Sequence, residues 1–90
     1  MQIVARAARG QRLRTEYDEI VAVRLRQIRE ERGLTQGMLG AAIGVSMQQI
    51  QKYETGTNRI SAGRLYAASR VLGAPLVEFY RDRGGAAHAR

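Results

Sequence analysis

Ninety residues with a net charge of +7, no cysteine and 44% hydrophobic content make one small domain with room for a single core. The lack of cysteine excludes a disulfide framework, a zinc knuckle and a thiol nucleophile. No apolar run approaches the ~20 residues that span a bilayer, so no membrane partner is expected, and a small chain without disulfides is most simply cytoplasmic.

The chain opens with "MQIVARAARGQRLR", which carries Arg6, Arg9, Arg12 and Arg14 and no acid. It has no continuous apolar segment and so does not read as a secretory signal. Residues 1–14 are expected to form a flexible basic arm. The next segment, 16–32, is predicted as a helix with Val21, Leu25 and Ile28 on one stripe. Ile20 and Val23 lie partly off that stripe, where the arm or a second subunit would cover them.

Three helices then announce their starts with hydroxyls. Thr35 opens 36–43, Ser46 opens 47–54 and Ser61 opens 62–72. Each hydroxyl can accept from an unpaired N–H of the first turn. Each is flanked by an apolar pair, Leu34/Leu39, Val45/Ile50 or Ile60/Leu65, spaced to close over that turn. Ser46 and Gln49 also have the spacing of a capping box. Gly33, Gly44, Gly56 and Gly73 follow the helical runs at their stops. Leu39, Ala42 and Ile43, then Ile50 and Tyr53, then Leu65, Ala68 and Leu72 supply the inward faces. Pro75 suits the first turn of a last helix, 75–80, whose Leu76 and Phe79 cap the bundle. Residues 81–90, with "GGAAHA", are expected to be a flexible tail. The chain therefore reads as all-α: five helices over residues 15–80 between two flexible ends.

The second and third helices are separated only by Gly44, Val45 and Ser46, so they must cross steeply. Gly44 makes that turn. Gly40 costs about 1 kcal/mol of helix propensity relative to Ala, which makes sense where the crossing brings backbones together. Gly37 costs as much without such a reason. On the third helix Ile50 and Tyr53 face inward, leaving Met47, Gln48, Gln51 and Lys52 as one outward stripe with no acid before Glu54.

The run "LTQGMLGAAIGVSMQQIQKYETGTNRIS" resembles the helix-turn-helix of the Xre/Cro/lambda-repressor-like family of DNA-binding domains. The matching pieces are Thr35–Gln36, Leu39, "IGVS" at 43–46, Ile50, Tyr53–Glu54 and the "GTNR" loop at 56–59, and the resemblance covers about residues 19–80. It departs at Gly37 and Gly40 and at Met47, where polar residues are commoner. The implied fold is a compact lambda-repressor-like DNA-binding domain, and the implied partner is double-stranded DNA.

The resemblance also implies roles for single residues. Met47, Gln48, Gln51 and Lys52 would face base edges, where Gln can pair with adenine N6/N7, Lys can donate to guanine O6/N7, and Met can lie against a thymine methyl. Gln36, Ser46, Thr57, Asn58 and Arg59 would hold phosphates, joined by N–H groups at helix starts. Arg29 would pair with Glu54 in a structural role.

A transcriptional regulator, in particular a repressor acting as a homodimer on a pseudo-palindromic operator, fits these features. An antitoxin that also grips a toxin is the alternative within DNA binding, with a protein partner taken through the C-terminal helix or tail. A protein-interaction module on the same fold would predict acids or bulky apolar groups on the stripe. Enzymatic function is not expected. The one histidine, His88, sits in a Gly/Ala-rich tail, and "EYDE" and "EE" have no acid–base or metal-binding partners nearby. No cofactor, metal or small-molecule site is evident in the sequence.

Overall fold

The computed structural model describes residues 15–81, so the expected flexible arm, 1–14, and all but the first residue of the expected tail, 81–90, lie outside the described residues. Among the described residues, four α-helices, α1 (Glu16–Glu31), α2 (Gln36–Ile43), α3 (Met47–Thr55) and α4 (Ala62–Leu72), precede a 3-10 segment, Leu76–Tyr80. The all-α expectation therefore holds, with one correction: the fifth element is 3-10 rather than α. It is only five residues long, and it closes with an i→i+3 bond from the Glu78 N–H to the Pro75 carbonyl at 2.9 Å.

The starts of the helices follow from their caps. Thr35, Ser46 and Ser61 have extended backbones and accept from the N–H groups of Met38, Gln49 and Arg64. Leu34, Val45 and Ile60, one residue earlier in each case, pack against the core. The Ser46 cap forms without the reciprocal half expected from Gln49. The complete capping box lies at α1 instead. There the Thr15 N–H donates to Asp18 Oδ2 at 2.9 Å, and the Asp18 N–H donates to Thr15 Oγ1 at 3.3 Å. Gly33, Gly44, Gly56 and Gly73 all take positive φ at the expected stops.

One core joins the elements. Val21, Leu25 and Ile28 of α1 meet Leu39 and Ile43 of α2, Ile50 and Tyr53 of α3, and Leu65, Ala68 and Leu72 of α4. Phe79 fills the end of the bundle and Ala74 joins it, whereas Ala42 and Leu76, both expected inside, are exposed. On α2 the inward face is made by Leu39, Gly40 and Ile43, which turns Ala42 outward. Ile20 is buried and Val23 exposed.

Two arginines tie the end of α4 and the 3-10 segment to α1. Arg24, only 2% exposed, donates from Nε to the Glu78 carbonyl at 2.7 Å and from Nη1 to Gln27 Oε1 at 2.8 Å. Arg32 donates from Nε to the Leu72 carbonyl at 2.8 Å, satisfying an acceptor at the end of α4.

Candidate functional site

Only three residues, Gly44, Val45 and Ser46, connect α2 to α3. Gly44 ends α2 at φ 82°, a left-handed conformation in which a Cβ would be strained. The Val45 N–H then donates back to the Gly40 carbonyl at 2.9 Å. A Cβ on Gly40 would stand 2.6 Å from the Val45 carbonyl oxygen and 3.2 Å from the backbone of Ser46. Gly40 is thus required by the turn itself, which lies directly against α2. A Cβ on Gly37 would meet only Thr35 Oγ1, at 3.9 Å, so no such need exists there.

This turn sets α3 across α2 with one face buried and the other open. Ile50, Tyr53 and Glu54 are buried. Met47, Gln48, Gln51 and Lys52 are exposed together, Met47 by 49%. Among the described residues none of these four side chains makes a hydrogen bond or ion pair. They form a stripe of a thioether, two carboxamides and an ammonium with no duty in the fold.

The pitch of α3 is fixed from behind by a buried ion pair. Arg29 donates from Nε to Glu54 Oε2 at 2.6 Å and from Nη2 to Glu54 Oε1 at 3.0 Å, with side-chain exposures of 9% and 2%. Arg29 Nη1 also donates to the Leu34 carbonyl at 2.8 Å, so one guanidinium joins α1, the chain entering α2, and the end of α3. The hydrogen bonds to Glu54 raise the Arg29 pKa above its ordinary value, with burial acting in the opposite direction.

The residues expected to hold phosphates are differently disposed. Gln36 is half-buried, and its Nε2 donates to Glu54 Oε1 at 3.0 Å, which couples its carboxamide to the ion pair. Gln36 and Gln51 share the wall of an open groove of about 510 Å³ with Arg26, Leu34, Thr35 and Glu54. Ser46 spends its hydroxyl on the α3 cap, accepting from the Gln49 N–H at 3.0 Å. Thr57 Oγ1 lies 2.9 Å from Thr55 Oγ1, and the Asn58 N–H donates to the Lys52 carbonyl at 3.1 Å. Those bonds fold the loop after α3 back on the helix. Arg59 points at the first turn of α1, its Nε 3.3 Å from Asp18 Oδ1. Between these two elements lies a cavity of about 180 Å³ bordered by Asp18, Val21, Tyr53, Asn58, Arg59 and Leu65.

The sequence reading missed Asp18, Arg24 and Arg32. Arg24 had a visible signal: it stands three residues after Val21 and four before Ile28, inside the apolar stripe. Asp18 had one too, three residues after Thr15. Arg32 had none, because its acceptor is set by the docking of α4. Among the described residues no three His, Cys, Asp or Glu side chains are grouped to hold a metal, and no helix is long and apolar enough to cross a membrane.

The helix-turn-helix family profile matches residues 25–79. A transcriptional regulator from the ATPase CF(0) region of Rhodospirillum rubrum is 49% identical over 73 residues, covering 79% of this chain and 68% of that protein. An HTH-type transcriptional regulator of Sinorhizobium fredii (strain NBRC 101917 / NGR234) is 48% identical over 65 residues, covering 72% of this chain and 46% of that protein. One from Sinorhizobium medicae (strain WSM419) is 45% identical over 65 residues, covering 72% and 47% respectively. The chain thus spans about half the length of these two Sinorhizobium relatives.

Proposed function

The chain belongs to the helix-turn-helix family of the Xre and lambda-repressor type, and on that premise we propose that it binds double-stranded DNA sequence-specifically to regulate transcription. The carrying observation is the exposed stripe Met47, Gln48, Gln51 and Lys52 on a helix whose opposite face is anchored by Ile50, Tyr53 and the Arg29–Glu54 pair. A helix held this way fits a major groove about 12 Å wide, with those four side chains toward base edges. Gln48 and Gln51 pair with adenine, Lys52 with guanine, and Met47 packs on a thymine methyl.

Phosphate contacts flank this face. On one side the half-buried Gln36 and the exposed N-terminal turn of α3 at Ser46 offer donors. On the other, Thr57, Asn58 and Arg59 follow the helix, and all three are exposed. These groups position the protein and leave the reading of sequence to the stripe. The folded body is residues 15–80, with the basic residues 1–14 adding charge toward the DNA backbone.

The protein acts as a repressor, a homodimer on a pseudo-palindromic operator, in the cytoplasm. A dimer places its two recognition helices about one helical turn, ~34 Å, apart. Selection of bound sequences from a random duplex pool tests this. The expected outcome is an enriched motif of two related half-sites with that spacing. Enrichment of a single unpaired half-site would remove the homodimer from the account.

A further inference from the structure

Arg59 does not stand alone on the surface that follows α3. Its Nε lies 3.3 Å from Asp18 Oδ1, across 41 positions of sequence, with side-chain exposures of 42% for Arg59 and 21% for Asp18. Asp18 is itself held. Its other oxygen, Oδ2, accepts from the Thr15 N–H at 2.9 Å and from Thr15 Oγ1 at 3.3 Å in the α1 capping box. A carboxylate pinned to a helix start cannot swing away as a free surface acid would. The loop carrying Arg59 is pinned in turn by the Asn58 N–H on the Lys52 carbonyl.

We propose that Asp18 is a positioning residue that sets DNA affinity by restraining Arg59 at the edge of the recognition surface. The inference rests on the phosphate role given to Arg59 above. An arginine that must neutralise a phosphate is already partly neutralised in the free protein, and the same carboxylate then sits beside the arriving phosphate. The Asp18 charge opposes binding on both counts. Because phosphates carry no sequence information, it does so equally on every duplex. The capping box thereby links the helix start directly after the basic residues 1–14 to the loop directly after the reading helix.

The test is Asp18→Asn in the full chain, measured by DNA affinity across a salt series. Asn keeps an acceptor for the Thr15 N–H, and thermal unfolding checks that α1 is intact. Because the pair is partly exposed, its release corresponds to about a two- to fivefold tightening. The tightening is expected on selected and scrambled duplexes alike, with a salt slope steeper by up to about one unit. Glu19→Gln, which removes a charge of the same sign from the same turn, is expected to do much less.

Combining Asp18→Asn with Arg59→Ala is expected to erase the gain and return the protein to the level of Arg59→Ala alone. Unchanged or weaker binding by Asp18→Asn overturns the inference, and so does an equal gain from Glu19→Gln. If Arg59→Ala weakens binding and flattens the slope while Asp18→Asn gains nothing, only the restraint by Asp18 has failed. If Arg59→Ala itself changes neither quantity, the phosphate role of Arg59 has failed and the inference falls with it.

Discussion

Glu54 shows how one side chain can carry both fold and site. Its carboxylate accepts two bonds from Arg29 and one from Gln36, and it is almost wholly buried. Removing one partner of such a pair leaves a buried charge without compensation, at a cost of about 3–5 kcal/mol. Glu54→Ala is therefore expected to lose most of the stability of so small a domain in urea unfolding. Replacing both partners with apolar residues, Arg29→Met with Glu54→Leu, is expected to recover more than half of that loss. A loss under about 1 kcal/mol for the single change, typical of an exposed pair, would mean that the ion pair is not buried in solution. The pairing of Arg29 with Glu54 was legible through family resemblance. The engagement of Gln36 with the same carboxylate was not, because it depends on where the first turn of α2 comes to rest against α3.

At the scale of elements, the two glycines of α2 separate a constraint from an accident. Both cost helix propensity, yet only Gly40 has backbone within reach of an added Cβ. Gly40→Ala is expected to destabilise by about 1–3 kcal/mol through overpacking, since the Val45 carbonyl cannot yield without opening the turn. Gly37→Ala, whose Cβ would make only an ordinary contact with Thr35 Oγ1, is expected to stabilise by up to about 1 kcal/mol. Thermal unfolding should therefore move in opposite directions for the two variants. The same sign for both would contradict the packing of α2 on the turn.

The helix starts at Thr35, Ser46 and Ser61 were readable because cap and staple act within one turn of chain. The last element was harder. Its 3-10 form, and its attachment through the Arg24 guanidinium to the Glu78 carbonyl, depend on contacts 54 positions apart. Ala42 and Leu76 were placed inside for the same reason: local periodicity does not show which way a short element finally turns.

Over the whole molecule, charge and reading are divided between different parts of the chain. Residues 1–14 carry four arginines and no acid, whereas the body from Glu16 to Tyr80 is close to neutral. General attraction to DNA is therefore expected to come largely from residues 1–14. Changing Arg6, Arg9, Arg12 and Arg14 together to Gln should flatten the salt dependence of binding by as much as about three to four units, equally for all duplexes. An unchanged slope would take residues 1–14 out of the interface.

Sequence preference, by contrast, is assigned to four side chains on α3. The measurement that tests this most directly is the affinity of Gln48→Ala for a selected duplex and for a scrambled one. The expected result is a loss of about 1–3 kcal/mol on the selected duplex, relaxed preference at one base position, and little change on the scrambled one. Unchanged affinity for both duplexes would mean that the exposed face of α3 does not read DNA.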